Sequence, residues 1–359
     1  MIVNTLIKGL TQQMVQARLN TADAKPFKFG IHFPVKKVVG FNWETLSNHL
    51  ANINVAADLH ADNGTIIRKK RPIYDVAKGD LPFIAISREM TRKELKAYQM
   101  ARALAKDDDA TKLVQYWGED VDFCFNGVQS ELEYIAWMLV SNAGVVEFTT
   151  TTNATHANQF NLDYQVDDKQ KMSTSSNWGN KNADILGDLT TFVKDAKKLG
   201  INPKFAFINL NELYTICTNE QIIKSCASYI NNAVGIAQTP DLTAVNAMLA
   251  KQSWLNGLQL RVIDQTITRE FSDGKQTTGN PFKDHRLVIS ETERLGSTQY
   301  DILAENNDLI LRAERAHTVV KKYGTVEPTS EVTIGQADAL PVFDTAYRNV
   351  YVKTDGKDW

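Results

Sequence analysis

The chain has 359 residues, 43% of them hydrophobic and 23% charged, with a formal net charge of −2. That length exceeds the roughly 250 to 300 residues at which one hydrophobic core stops growing, so two cores, or one core with extended appendages, are expected. The balance is that of an ordinary globular protein: it gives no electrostatic reason for the whole surface to bind nucleic acid, and the absence of a run of 18 apolar residues excludes a membrane-spanning helix.

From Met1 to Asn20, Ile2, Leu6, Leu10, Met14, Val15 and Leu19 recur every few positions, which predicts a helix weakened at Gly9 and broken at Lys25-Pro26-Phe27. The stretch makes a poor signal peptide. It packs either on its own subunit or on a neighbour. Phe33 to Trp43 reads as extended, and Gly40 to Leu46 as a turn entering a short helix or strand. Between Asn54 and Pro72 the helical period fades, Asp62-Asn63-Gly64 signals a turn, and Arg68, Lys69, Lys70 and Arg71 form a basic cluster. Such a cluster reads as a nucleic-acid or localisation patch, or as a solvated charged loop.

Thr91-Arg92-Lys93-Glu94 has the form of a capping box, so a helix starts there and runs to about Ala105. Asp107, Asp108 and Asp109 interrupt it. Three consecutive carboxylates on a loop point in different directions, so an acidic start to the next helix is preferred over a metal site. Leu113, Trp117, Val121, Phe125, Val128, Leu132, Ile135 and Leu139 then recur at steps of three or four, predicting one helix from about Ala110 to Ser141. Gly118 and Gly127 should each cost about 1 kcal/mol against alanine. A helix of about 30 residues is roughly 45 Å long, more than a compact domain needs.

Val145 to Phe148 and the alternating Phe160, Leu162, Tyr164 and Val166 predict two strands, a candidate hairpin across a Thr/Asn-rich loop. Ile185, Leu189, Phe192, Val193, Ala196 and Leu199 line one face of a helix that Gly200 ends. Phe205 to Ile208 reads as a strand buried on both faces, followed by a helical stretch to Cys217 capped by Asn209 or Asn211. A further helix is expected over Gln221 to Val234, and another behind Asp241. Strands are expected at Leu258 to Val262 and Leu287 to Ile289. Ser272 to Pro281 reads as a mobile polar loop without the lysine-serine ending of a phosphate cradle. Tyr347 to Val352 alternates as a final strand, expected to complete a sheet beside the long helix. The fold class is α+β.

No constellation of catalytic residues emerges. Cys124, Cys217 and Cys226 lack metal-ligand spacing and read as buried thiols. The six histidines are scattered, Asp284-His285 being the nearest approach to a carboxylate-imidazole pair, and Glu131 and Glu133 fall on different helix faces. The expectation is a protein that is not an enzyme and needs no cofactor or metal.

Trp43-Glu44-Thr45-Leu46, Ala56-Ala57-Asp58-Leu59, Arg71 through Tyr98, Glu131-Leu132-Glu133, Phe160 to Val166, Trp178, Ala183-Asp184-Ile185, Gly200 through Phe205, Asn256 through Val262 and Arg286 through Ile289 follow in an order that resembles the major capsid proteins of lambda-type tailed phages. No single piece carries the resemblance; their order over roughly 250 residues does. It implies the Hong Kong 97-type capsid fold: an amino-terminal arm over 1–37, an extended loop over 38–88, a peripheral domain over 89–182 with a spine helix at about 110–141, an axial domain over 183–320, and a return to the peripheral domain over 321–359. It implies pentamers and hexamers of the chain itself, closing into an icosahedral shell in the virion. Scaffold, portal and decoration proteins would be its partners, and packaged DNA would be contacted non-specifically. Under this resemblance the cluster Arg68 to Arg71 gains a third reading, an arm whose cations meet carboxylates of an adjacent subunit. An encapsulin-like compartment shell is the alternative within the fold. A glycan-binding or glycan-processing protein is the alternative outside it.

Overall fold

The computed structural model describes residues 2–23, 27–47, 75–104, 110–148, 160–231, 239–271, 274–305 and 307–359. The chain divides into two compact units that interleave along the sequence. The first holds Met1–Trp43, Lys78–Ile135 and Ser297–Val342; the second holds Glu44–Ala77, Ala136–Gly296 and Phe343–Trp359.

The first unit is built on the strand Thr329–Val342. Gln336 pairs with Val319 on one edge and with Ala85 on the other, so Thr318–Val326 and Phe83–Met90 flank the same strand from opposite sides. Further along, Ser297–Asp301 takes over the first edge, and Val35–Lys37 joins it in parallel. Leu311–Arg315 and the short Ile2–Val3 pair with the outer edge of Thr318–Val326. The helix Ala110–Ser141, 32 residues long, lies on this sheet over its first part. The approach is close enough that a Cβ at Gly335 would collide with the carbonyl oxygen of Cys124. Trp117, Val121 and Phe125 bury their side chains there with Ile7, Leu10, Val15, Leu19, Leu95, Tyr98, Leu311 and Val320. Each such burial contributes about 1.5 to 3 kcal/mol, which is what holds the amino-terminal segment down.

In the second unit five strands run in the order Gln259–Ile263, Phe205–Asn209, Arg286–Ser290, Asn349–Lys353, Lys171–Ser173. The outer pairs are parallel, and Arg286–Ser290 is antiparallel to both of its neighbours. Helices Ile185–Lys198, Glu220–Asn231 and Leu242–Lys251 pack Leu189, Phe192, Ile222, Val245 and Leu249 into the same core as Ala206, Ile208, Leu287 and Val350. Local chemistry fixes their starts: Asn209 caps Leu210–Cys217 by accepting from Glu212 N, and Asp241 caps Leu242–Lys251 by accepting from Ala244 N. Gly200 sits at φ +78°, the left-handed turn that ends Ile185–Lys198. Val145–Phe148 and Phe160–Asp163 form the expected hairpin.

Several expectations are corrected. The first helix covers Gln12–Thr21, not the opening residues, because Thr11 caps it and Ile2–Val3 finds a sheet edge. Part of the expected loop 272–281 is ordered pairing: Gln276–Gly279 joins Ile267–Glu270 as a hairpin. Asn349–Lys353 enters the five-stranded sheet and not the sheet beside the long helix. Alternation identified the strand; it carried no information about its partner.

Candidate functional site

Arg68, Lys69, Lys70 and Arg71, like Asp107 to Asp109, lie outside the described residues. Among the described residues no group of three or more His, Cys, Asp or Glu side chains is arranged to hold a metal, and no helix is long and apolar enough to cross a membrane. Cys124, Cys217 and Cys226 are free and buried, and burial pushes the Cys124 and Cys226 thiols up to about 11, far from the thiolate a nucleophile needs. Glu133 is fully buried and accepts the Phe29 amide at 2.9 Å, while Glu131 is only half-buried, as the helix period required.

In the first unit the sheet carries a buried ionic cluster. Thr5 donates its hydroxyl to Glu331 Oε1 at 2.6 Å and Leu6 its amide to Oε2 at 2.8 Å. Lys322, fully buried on the neighbouring strand, donates to Thr333 Oγ1 at 2.7 Å. Burial pushes its ammonium below the usual lysine range, and the carboxylates of Glu331 and Asp120 oppose that shift. Burial pushes the Asp120 carboxyl upward against Lys322 and Arg88; the Arg88 guanidinium stands 3.5 Å from Asp120 and above the Phe123 ring. At the other end of the sheet Gln129 bonds the His317 ring and the Thr318 hydroxyl at 3.0 and 2.9 Å. His317 Nδ1 has no hydrogen-bond partner, and burial lowers this imidazole to about 4. These groups tie the amino-terminal segment and the long helix to the sheet. Their sequence signal was the alternation Thr318, Val320, Lys322, which places Lys322 on the buried face.

In the second unit Asp284 and His285, adjacent in sequence, serve different partners. Asp284 Oδ1 accepts from Asn209 Nδ2 at 2.6 Å and Asn211 Nδ2 at 2.9 Å, whereas His285 Nδ1 faces Glu212 Oε2 at 3.8 Å. No Asp-His dyad forms. Glu212, which sequence reasoning passed over, is buried in the first turn of its helix, and desolvation pushes its carboxyl above the usual range against the Thr354 hydroxyl and His285.

Several large apolar side chains face outward. Ile31, Phe83, Leu104 and Tyr214 are 69%, 62%, 80% and 71% exposed, and Met100, Trp254 and Val39 also face outward. Among the described residues, Phe83–Met90 and Val35–Lys37 each pair on one side only, leaving strand edges of the kind that attract further chains. Two open depressions in the first unit, one beside Tyr98, Gln99 and Arg102, the other beside Asn307, Arg312 and Lys321, have the form of grooves and not of enclosed sites.

Solved structures superpose on nearly the whole chain, two of them with a TM-score above 0.5. One, assigned as the capsid protein of a prophage in Escherichia coli CFT073, aligns with a TM-score of 0.58 at 14% identity, covering 96% of this chain and 99% of its own. The chain has the Hong Kong 97-type phage capsid fold. A phage-related protein from Bordetella bronchiseptica RB50 gives a TM-score of 0.55 at 11% identity, covering 97% and 98%. No protein-family model and no curated protein matches the sequence. At such low identity the capsid fold survives in the order and spacing of apolar positions, which is where the resemblance in the sequence lay.

Proposed function

We propose that the chain is the major capsid subunit of a tailed phage, joining copies of itself as pentamers and hexamers in an icosahedral shell around double-stranded DNA. The observation that carries this reading is the end-to-end likeness to the prophage capsid protein, 96% of one chain against 99% of the other. Residues 1–37 serve as the arm and 38–88 as the extended loop. The peripheral domain, 89–182 and 321–359, corresponds to the unit holding most of the long helix, and the axial domain, 183–320, to the unit around the five-stranded sheet, although Ser297–Val342 lies in the first unit and Phe343–Trp359 in the second.

The physical mechanism is assembly. Exposed apolar side chains such as Phe83 and Leu104 and one-sided strand edges supply many modest contacts per subunit, which sum to a stable shell though each is weak. With a net charge of −2 the shell encloses DNA without attracting it strongly, and scaffold, portal and decoration proteins are the further partners of such a head. The test is electron microscopy and sedimentation of the chain expressed alone and with a scaffold. Closed shells, tubes or five- and six-fold rings are expected, and enclosed nucleic acid separates a phage head from a cargo compartment. A chain that remains monomeric in both settings and at every concentration would refute the reading.

A further inference from the structure

The helix Arg92–Leu104 of the first unit buries one face and carries a second apolar line on the other. Leu95 and Tyr98 enter the core beside the long helix. On the opposite side Ala97 is exposed, and Met100 and Leu104 are 58% and 80% exposed. Their spacing of three and then four residues is the a, d, a order of a coiled-coil seam, a line about 10 Å long into which the apolar residues of another helix interdigitate. In that register Lys96 holds the g position beside the seam and Lys93 the d position before it. Both are exposed, as is Arg92 ahead of them.

These cations sit at a cost. The first turns of a helix are the positive end of its dipole, where acids are favoured and bases are not. Glu94, the acid of that turn, is engaged by the Thr91 amide and hydroxyl, both at 2.7 Å. Among the described residues none of Arg92, Lys93 and Lys96 meets a carboxylate. Single exposed apolar residues are ordinary on a protein surface, but here two large ones lie in seam register with unpaired cations at the seam's end. The register selects a helix as occupant and the cations select an acidic one; a nucleic acid would match the cations and leave Met100 and Leu104 in water. We infer that this face of Arg92–Leu104 docks an amphipathic helix of a second protein, with aliphatic side chains at a and d and carboxylates at the flanking e and g positions.

The full chain carries the test. A labelled synthetic peptide of three heptads, with Leu at a and d and Glu at e and g, is titrated into unassembled subunits and followed by fluorescence anisotropy; its like-charged flanks keep it from pairing with itself. A counterpart with Lys at e and g and a duplex DNA are the comparison probes. Wild type is set beside a Met100→Gln/Leu104→Gln variant and an Arg92→Gln/Lys93→Gln/Lys96→Gln variant. All five positions are exposed, and the second variant should have an equal or higher Tm, because it unloads the positive end of the helix. The Glu peptide should bind wild type saturably and at least tenfold more weakly to each variant, the Lys peptide should not bind, and salt should weaken the wild-type complex. No saturable binding of the Glu peptide, equal binding of the Lys peptide, or binding unmoved in either variant overturns the inference. Duplex DNA that displaces the Glu peptide, and binds the Met100→Gln/Leu104→Gln variant as well as wild type, overturns it in favour of a nucleic acid. A Glu peptide that fails to bind, together with an assembly threshold raised by Met100→Gln/Leu104→Gln, overturns it in favour of a second copy of this chain.

Discussion

Thr5 and Glu331 are 326 residues apart in sequence and 2.6 Å apart in space, hydroxyl to carboxylate. The same carboxylate takes the Leu6 amide, so one side chain holds a segment that pairs with the sheet through Ile2–Val3. Glu331→Ala leaves both donors unpaired and removes a counter-charge from buried Lys322. The expected loss is about 3 kcal/mol, read from urea unfolding, with faster proteolysis ahead of Gln12–Thr21. A midpoint unmoved by the substitution would show that the clamp carries no net energy.

Gly335 and Gly257 separate two reasons for glycine. At Gly335 an added Cβ would meet the Cys124 carbonyl of the long helix, and backbone cannot step aside cheaply. At Gly257 there is open space but φ is +71°. Gly335→Ala should therefore cost about 2 to 3 kcal/mol by overpacking, and Gly257→Ala about 1 kcal/mol by backbone strain alone. Equal losses in calorimetry would contradict the close helix-sheet approach.

Acid should weaken the first unit through His317. Its folded imidazole is lowered to about 4 from an ordinary 6.5, so between those values the unfolded chain binds the proton and the folded one does not. The contribution is complete above pH 6.5, falls as pH drops towards 4, and is constant below, amounting to at most about 3 kcal/mol. Gln129, the Thr318 hydroxyl beside it and the Tyr300 ring face this group, and none of them carries charge. The buried carboxyl of Asp120, shifted upward, works in the opposite sense near its own range, so the informative quantity is the difference between wild type and His317→Gln. Parallel stability curves for the two between pH 6.5 and 4 would exclude His317 as the source.

Helices were legible in the sequence because their signals are local. Steps of three or four from Trp117 to Leu139 mark the long helix, and Asn209, Asp241 and Glu94, whose carboxylate accepts from the Thr91 amide and hydroxyl, mark the starts of others. Strand partners were not legible, because pairing is decided across the chain by packing. The alternation in Thr318–Val326 and Thr329–Val342 does not by itself mark the centre of a sheet, although Val320, Thr333 and Ala337 are buried on it. For the same reason the alternation in Asn349–Lys353 does not reveal that its partners are Arg286–Ser290 and Lys171–Ser173. The Glu212–His285 corner joins residues 73 positions apart through strand register, and no spacing rule reaches it.

The basic cluster provides the test of the arm. Arg68, Lys69, Lys70 and Arg71 put four positive charges within four residues of a chain whose net charge is −2, so like-charge repulsion among them must be relieved by carboxylates or solvent. If an adjacent subunit supplies those carboxylates, replacing all four by alanine should leave the subunit's Tm within about a degree while reducing shell yield several-fold, because surface charges contribute little to a single fold but recur at every contact of a shell. Raising salt should mimic the substitution in wild type and change the variant little, since screening acts only on charges that are present. Normal shells from the four-alanine variant at low salt, counted by electron microscopy, would return the cluster to a solvated loop.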